Sequence, residues 1–247
     1  MSSNTAQRSR WAHLVTAGAI VTALTGAAAC SGDEPEQDPQ ATTSEPTAQD
    51  RLDEANTVLS EAGSVSLLLQ GSDLPESETA YVIKADGSGT TTPPAFDGTI
   101  TAKIAGVQAD VPTVAVDDEL YVKLPFSPVF TSVTPESLGV PDPARLFSND
   151  VGVVSLLGKT EGATFGDQSR VGSDVVQQIS GQLSGDLIRD LLNVGAEDAQ
   201  FDVTYGLIEG DWEVRTVSLT GEFYPPTTST YLLTLDDYGV PVTVTAP

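Results

Sequence analysis

Histidine and cysteine are nearly missing from this chain: 247 residues contain one of each, and both, His13 and Cys30, fall within the first 30. Everything after Cys30 therefore lacks a Ser-His or Cys-His catalytic pair, a zinc site of His and Cys ligands, and any disulfide. Basic residues are scarce as well, with 11 Lys and Arg against 35 Asp and Glu and a formal net charge of −24. Nucleic-acid affinity rests on counterions displaced by Lys and Arg, so no nucleic acid is expected as a partner. Carboxylate, Lys and Tyr chemistry stays open. Aromatic residues make up only 6%, yet 39% of residues are hydrophobic. Leu, Val and Ile suffice to bury a sizeable core in one large domain or two small ones.

The amino-terminal segment reads as an export signal. Arg8 and Arg10 form a basic start, and residues 14–29 are an apolar run without an acidic residue. That run is short for a membrane span, which needs roughly 17 to 25 residues, and it ends in small residues directly before a Cys. Ala27-Ala28-Ala29-Cys30 resembles a bacterial lipobox, with Ala27 where Leu is usual. The expected outcome is a signal peptide over 1–29 and a lipid on Cys30, which anchors the protein to the outer face of the cell membrane. An ordinary secretory signal that leaves Cys30 a free thiol is the plainer alternative. Residues 30–49, rich in Asp, Glu, Pro, Thr and Ser, read as a disordered tether. Loss of the signal removes two basic groups and no acids, leaving nine basic residues against 35 acidic ones, a net charge of −26.

The remaining residues, 50–247, read as one folded domain. Leu52, Ala55, Val58 and Leu59 predict a helix over residues 49–62, stopped by Gly63. Alternating apolar positions then predict five strands, with turns at Ala105-Gly106 and Asp117-Asp118. Residues 126–143 are Pro-rich and without a period, which predicts a long loop. Short helices are expected over 150–157 and 184–193, flanking a hairpin over 164–180 that turns near Gly172-Ser173. Strands over 200–208, 213–222 and 229–235 follow, and a short one over 240–244. The fold class is α+β: a large, curved antiparallel sheet with few helices to fill its concave face, so that a hydrophobic cavity is expected.

From about Gln49 to its end the chain resembles the LppX and LprG type of mycobacterial lipoprotein. One block of the likeness runs from Val114 through the acidic turn Asp117-Asp118-Glu119 to Leu120-Tyr121 and Leu124. Others are Pro141 to Phe147, Gly152 to Leu157, Ile179-Ser180-Gly181, Leu233 to Gly239 and Val242 to Val244. The resemblance implies a half-open barrel whose cavity takes lipid tails, and a role in carrying acylated lipids or glycolipids across the cell envelope. It implies neither a catalytic motif nor a cofactor, and it suggests a membrane lipid exporter as a partner. A lipid-anchored structural or interaction protein with a closed core is the reading from a different class. A carboxylate-based hydrolase is a third.

Candidate cavity-lining residues on the sheet are Val65, Leu67, Leu69, Ile83, Ile100, Ala102 and Ile104, then Val107, Ala109, Val111, Val122 and Leu124. Val153, Leu156, Leu157, Ile188 and Leu191 would form the helical wall. Plain core is the competing assignment for each, because a cavity wall and a sheet–helix interface use the same residue types. Phe126, Val129, Phe130 and Val133 sit on the Pro-rich loop, where they would guard the cavity mouth, touch the membrane or fold back on the core. The acidic clusters Asp117-Asp118-Glu119 and Asp236-Asp237 read as solvated turns, and no metal site is assigned. Asp86-Gly87-Ser88-Gly89 is too poor in ligands for a calcium loop. Trp212 follows a turn and reads as a packing or surface residue.

Overall fold

Thr47 opens the first helix, α1 (Ala48–Glu61), with a reciprocal cap. Its hydroxyl accepts from the Asp50 amide at 3.1 Å, and the Asp50 carboxylate accepts from the Thr47 amide at 2.7 Å. Ala48, Leu52, Ala55 and Leu59 recur on one face and are buried. Gly63, at φ +75°, turns the chain out of the helix. These features belong to a computed structural model that describes residues 45–247 except 77–79, 105, 136–139 and 197. The expected export signal, Cys30 and the expected tether up to residue 44 lie outside the described residues.

Eleven strands follow among the described residues. β1 (Ser64–Ser72), β2 (Tyr81–Thr91), β3 (Pro94–Ile104), β4 (Val107–Val116), β5 (Glu119–Val122) and β6 (Thr131–Val133) form a first meander. A 3₁₀ turn (Pro143–Phe147) and α2 (Val153–Gly158) lead to β7 (Glu161–Val171) and β8 (Asp174–Ser184). After α3 (Gly185–Leu192) come β9 (Gln200–Ile208), β10 (Val214–Tyr224) and β11 (Thr227–Asp236). The strands make one antiparallel sheet in the order β6-β5-β4-β3-β2-β1-β11-β10-β9-β8-β7, which is not closed because β6 and β7 are its two edges. The first and last strands meet at its centre, with Leu67 opposite Leu235 and Leu69 opposite Leu233.

Period-two alternation gives the sheet two unlike faces. Val65, Leu67 and Leu69 of β1, Val217 and Leu219 of β10, and Tyr231, Leu233 and Leu235 of β11 are buried in one core with the helices. Hydroxyls pair across strands at intervening positions: Ser66 with Ser88 at 3.0 Å, Ser180 with Thr204 at 3.0 Å and Thr220 with Thr230 at 2.9 Å. On the apolar side α2 is tied to α1 by Asn56, whose amide donates to the Val154 carbonyl at 2.6 Å.

Two expectations change. No strand forms over 240–244: β1 already has β2 and β11 on its two sides, and the tail instead folds against the start of β1, where Ser64 donates to the Val240 carbonyl at 2.6 Å. The Pro-rich stretch contains β6, which pairs Val133 with Leu120. Asp86 to Gly89 lie within β2. Gly87 faces Gly98 of β3, and a Cβ on either would collide with the Phe96 ring, so the pair lets an aromatic ring lie close against the sheet. Asp117 and Asp118 take left-handed conformations between β4 and β5, as a tight two-residue hairpin turn requires.

Candidate functional site

Strand direction gathers the site at one end of the sheet. β3 and β5 each run antiparallel to β4, so the β3–β4 turn and the exit of β5 lie at the same end. By the same reasoning the end of β1, the start of β2 and the β10–β11 turn lie there too. Between these strand ends, α3 and the segment before the 3₁₀ turn is a cavity of about 160 Å³. Ile104 (53% exposed) and Leu124 (49%) carry its lining out to the surface.

Eight of the residues chosen from the sequence meet on this lining: Leu69, Ile100, Ala102, Ile104, Val111, Val122, Leu124 and Leu191. The others lie elsewhere, for identifiable reasons. Ile83 is the extra residue of a bulge between Val82, paired with Ala102, and Lys84, paired with Thr101, so Val82 takes its place on the lining. Val107 is 68% exposed in the turn region, and Ala109, though opposite Ala102, stops short of the cavity. Val65, Leu67 and Val153 line a separate crevice of about 10 Å³ under α1 and the 3₁₀ turn. Leu156, Leu157 and Ile188 are fully buried in the core, α2 having packed on α1 rather than over the cavity. On the loop, Phe126 is fully exposed at φ +71° and Val129 is exposed, whereas Phe130 is half-buried and Val133 packs against the core from β6.

The sequence reading missed the polar end of the cavity. Tyr81, Tyr224 and Tyr231 supply it, and Asp142 and Thr113 are also on the lining. The Tyr231 hydroxyl donates to the Val82 carbonyl at 2.9 Å and lies 2.9 Å from that of Tyr224. The Tyr81 and Tyr224 rings are 5.8 Å apart, and the Lys103 ammonium sits 5.6 Å from the Tyr81 ring. Burial pushes the phenols of Tyr224 and Tyr231 up from their ordinary value, so both are neutral donors at physiological pH. Asp142 caps the 3₁₀ turn by accepting from the Ala144 amide at 2.9 Å, and the Thr113 hydroxyl donates to the Val111 carbonyl at 2.9 Å. Tyr231 was within reach of the pattern, because it alternates with Leu233 and Leu235 on the buried side of β11. Among the described residues no group of three or more His, Cys, Asp or Glu gathers to hold a metal.

An unclosed antiparallel sheet with few helices is the fold class that the resemblance implies, and the model of the LppX_LprAFG lipoprotein family matches residues 47–244. The chain belongs to this family. The lipoarabinomannan carrier protein LprG of Mycolicibacterium hassiacum is 28% identical over 239 residues, covering 93% of this chain and 95% of the relative. Two solved structures of family lipoproteins share the fold. LprF from Mycobacterium bovis aligns with a TM-score of 0.69 at 16% identity, over 81% of this chain and 96% of LprF. LppX from Mycobacterium tuberculosis aligns at 0.60 and 17%, over 82% of this chain and all of LppX.

Proposed function

We propose that the protein is a membrane-anchored lipoprotein that takes an acylated lipid or glycolipid into the cavity and carries it through the extracytoplasmic envelope. The observation that carries this reading is an almost wholly apolar cavity reaching the surface at Ile104 and Leu124. Exposing an acyl chain of about 15 methylenes to water costs on the order of 12 kcal/mol, so a multi-chain lipid does not cross water unaided. A dry cavity removes that barrier, and with apolar surroundings on both sides of the transfer, loading and release need no ATP. The relative named a lipoarabinomannan carrier supports a glycolipid as cargo.

About 160 Å³ is close to the ~150 Å³ of an engineered apolar cavity that admits benzene. In this state the cavity takes a segment of one chain, and larger cargo requires the lining to move outward. A lipid on Cys30 would hold the protein at the outer face of the cell membrane. Seventeen residues separate Cys30 from Ala48, and at no more than ~3.6 Å each they reach up to about 60 Å. That exceeds the ~36 Å length of an 11-residue strand, so either end of the sheet can be brought to the bilayer. An exporter in the same membrane is the partner that would supply or receive the cargo.

The test is transfer of a fluorescent diacyl lipid between donor and acceptor vesicles. The proposed carrier accelerates transfer in proportion to its concentration. A rate equal to that with an unrelated lipoprotein rejects carriage and favours an anchored interaction protein.

A further inference from the structure

The three tyrosines at the cavity end do not satisfy one another. Tyr231 has one hydroxyl proton and uses it on the Val82 carbonyl, which only accepts. The hydrogen bond between Tyr224 and Tyr231 must then be donated by Tyr224, which leaves the Tyr224 oxygen with an open acceptor position. Tyr81 is 9% exposed and lines the same cavity, and its hydroxyl has no hydrogen-bond partner among the described residues. With the two rings 5.8 Å apart and both residues on the lining, a donor on Tyr81 and an acceptor on Tyr224 are both available to a ligand in a mostly apolar cavity.

We infer that Tyr81 and Tyr224 form a subsite for a free hydroxyl of the bound lipid, making the preferred cargo an acyl ester that keeps an unesterified alcohol beside its chains. The inference rests on the carrier reading and adds the group by which the cargo is recognised. An alcohol fits both positions, since its oxygen accepts from Tyr81 while its proton goes to Tyr224. An ester or ether oxygen fits only Tyr81, and a hydrocarbon fits neither. Because the relay through Tyr231 to Val82 fixes the direction of the Tyr224 proton, the acceptor stays turned to the ligand. One neutral hydrogen bond then corresponds to a preference of about three- to tenfold.

The experiment compares loading of the full chain with 1,2-dioleoylglycerol and with its 3-O-methyl ether, which keeps the oxygen and loses the proton. Native mass spectrometry reads the competition. The expected result is the three- to tenfold preference for the free alcohol in the unmodified protein. Tyr224→Phe brings the two probes to equal loading, and Tyr81→Phe lowers both by the same factor and leaves their ratio unchanged. Both variants keep the ring, and near-ultraviolet circular dichroism checks packing. Equal loading of the two probes by the unmodified protein overturns the subsite and leaves carriage standing. Loading of neither probe overturns both.

Discussion

Thr160 and Tyr205 form a buried pair whose two members are unequal. Thr160 donates to the Leu156 carbonyl at 2.8 Å, and the Tyr205 hydroxyl, 2.8 Å from the Thr160 oxygen, is therefore the donor between them. Burial raises the Tyr205 phenol far above its ordinary value, which keeps it protonated. Tyr205→Phe removes one satisfied bond and costs about 0.5–1.5 kcal/mol, whereas Thr160→Val strands the buried phenol and costs about 1–3 kcal/mol. Urea unfolding of the two variants checks the order, and a more stable Thr160→Val contradicts the assignment. Glu213 behaves differently. Burial raises its carboxyl, with the attraction of Arg215 only partly opposing this. The folded state therefore disfavours the charged form, a penalty absent where Glu213 is protonated in both states. It grows as pH rises through the unfolded value and is complete above the folded one. Glu213→Gln should raise the melting temperature at pH 7, with the gain vanishing below the ordinary carboxylate range in a pH series of melts.

Elements defined by local periodicity were readable from the sequence. The face of α1, the hairpin turn at Gly172-Ser173 and the alternation of β1, β9, β10 and β11 follow from residues a few positions apart. What depends on pairing was hidden. Ile83 is a β-branched residue that suits a strand, and only its register against β3 reveals the bulge. Leu156 and Leu157 of α2 are as apolar as Leu191 and Leu192 of α3, yet only α3 faces the cavity, because α2 is committed to α1. The loop after β5 is the element whose exposure packing does not explain. Phe126 stands fully exposed in a left-handed conformation unfavourable for a side chain of its size, at the sheet end where the cavity surfaces. Phe126→Gly should leave stability unchanged or raise it by up to about 1 kcal/mol, because glycine adopts that conformation freely. If the loop contacts the bilayer, the same change slows lipid extraction from vesicles severalfold. An unaltered extraction rate assigns the loop no part in loading.

The whole molecule divides its residues between an acidic exterior and one apolar interior that packing does not fill. A net charge of −26 on the chain after Cys30 would oppose close approach to an anionic bilayer, so under the proposed carrier role contact would depend on the small apolar rim of Ile104, Leu124 and Phe126. Ala102 lies on the wall between Ile100 and Ile104, and an indole there would project into the cavity. Ala102→Trp should therefore reduce bound lipid severalfold at a cost of about 1–3 kcal/mol in stability, with the circular dichroism spectrum retained. Native mass spectrometry of the full chain, purified from the membrane of its own host, tests carriage most directly. The expected result is an acylated lipid that leaves on collisional activation, while any covalent anchor on Cys30 stays, and much less of that lipid on Ala102→Trp. A chain that carries no releasable lipid beyond that of an unrelated lipoprotein contradicts it.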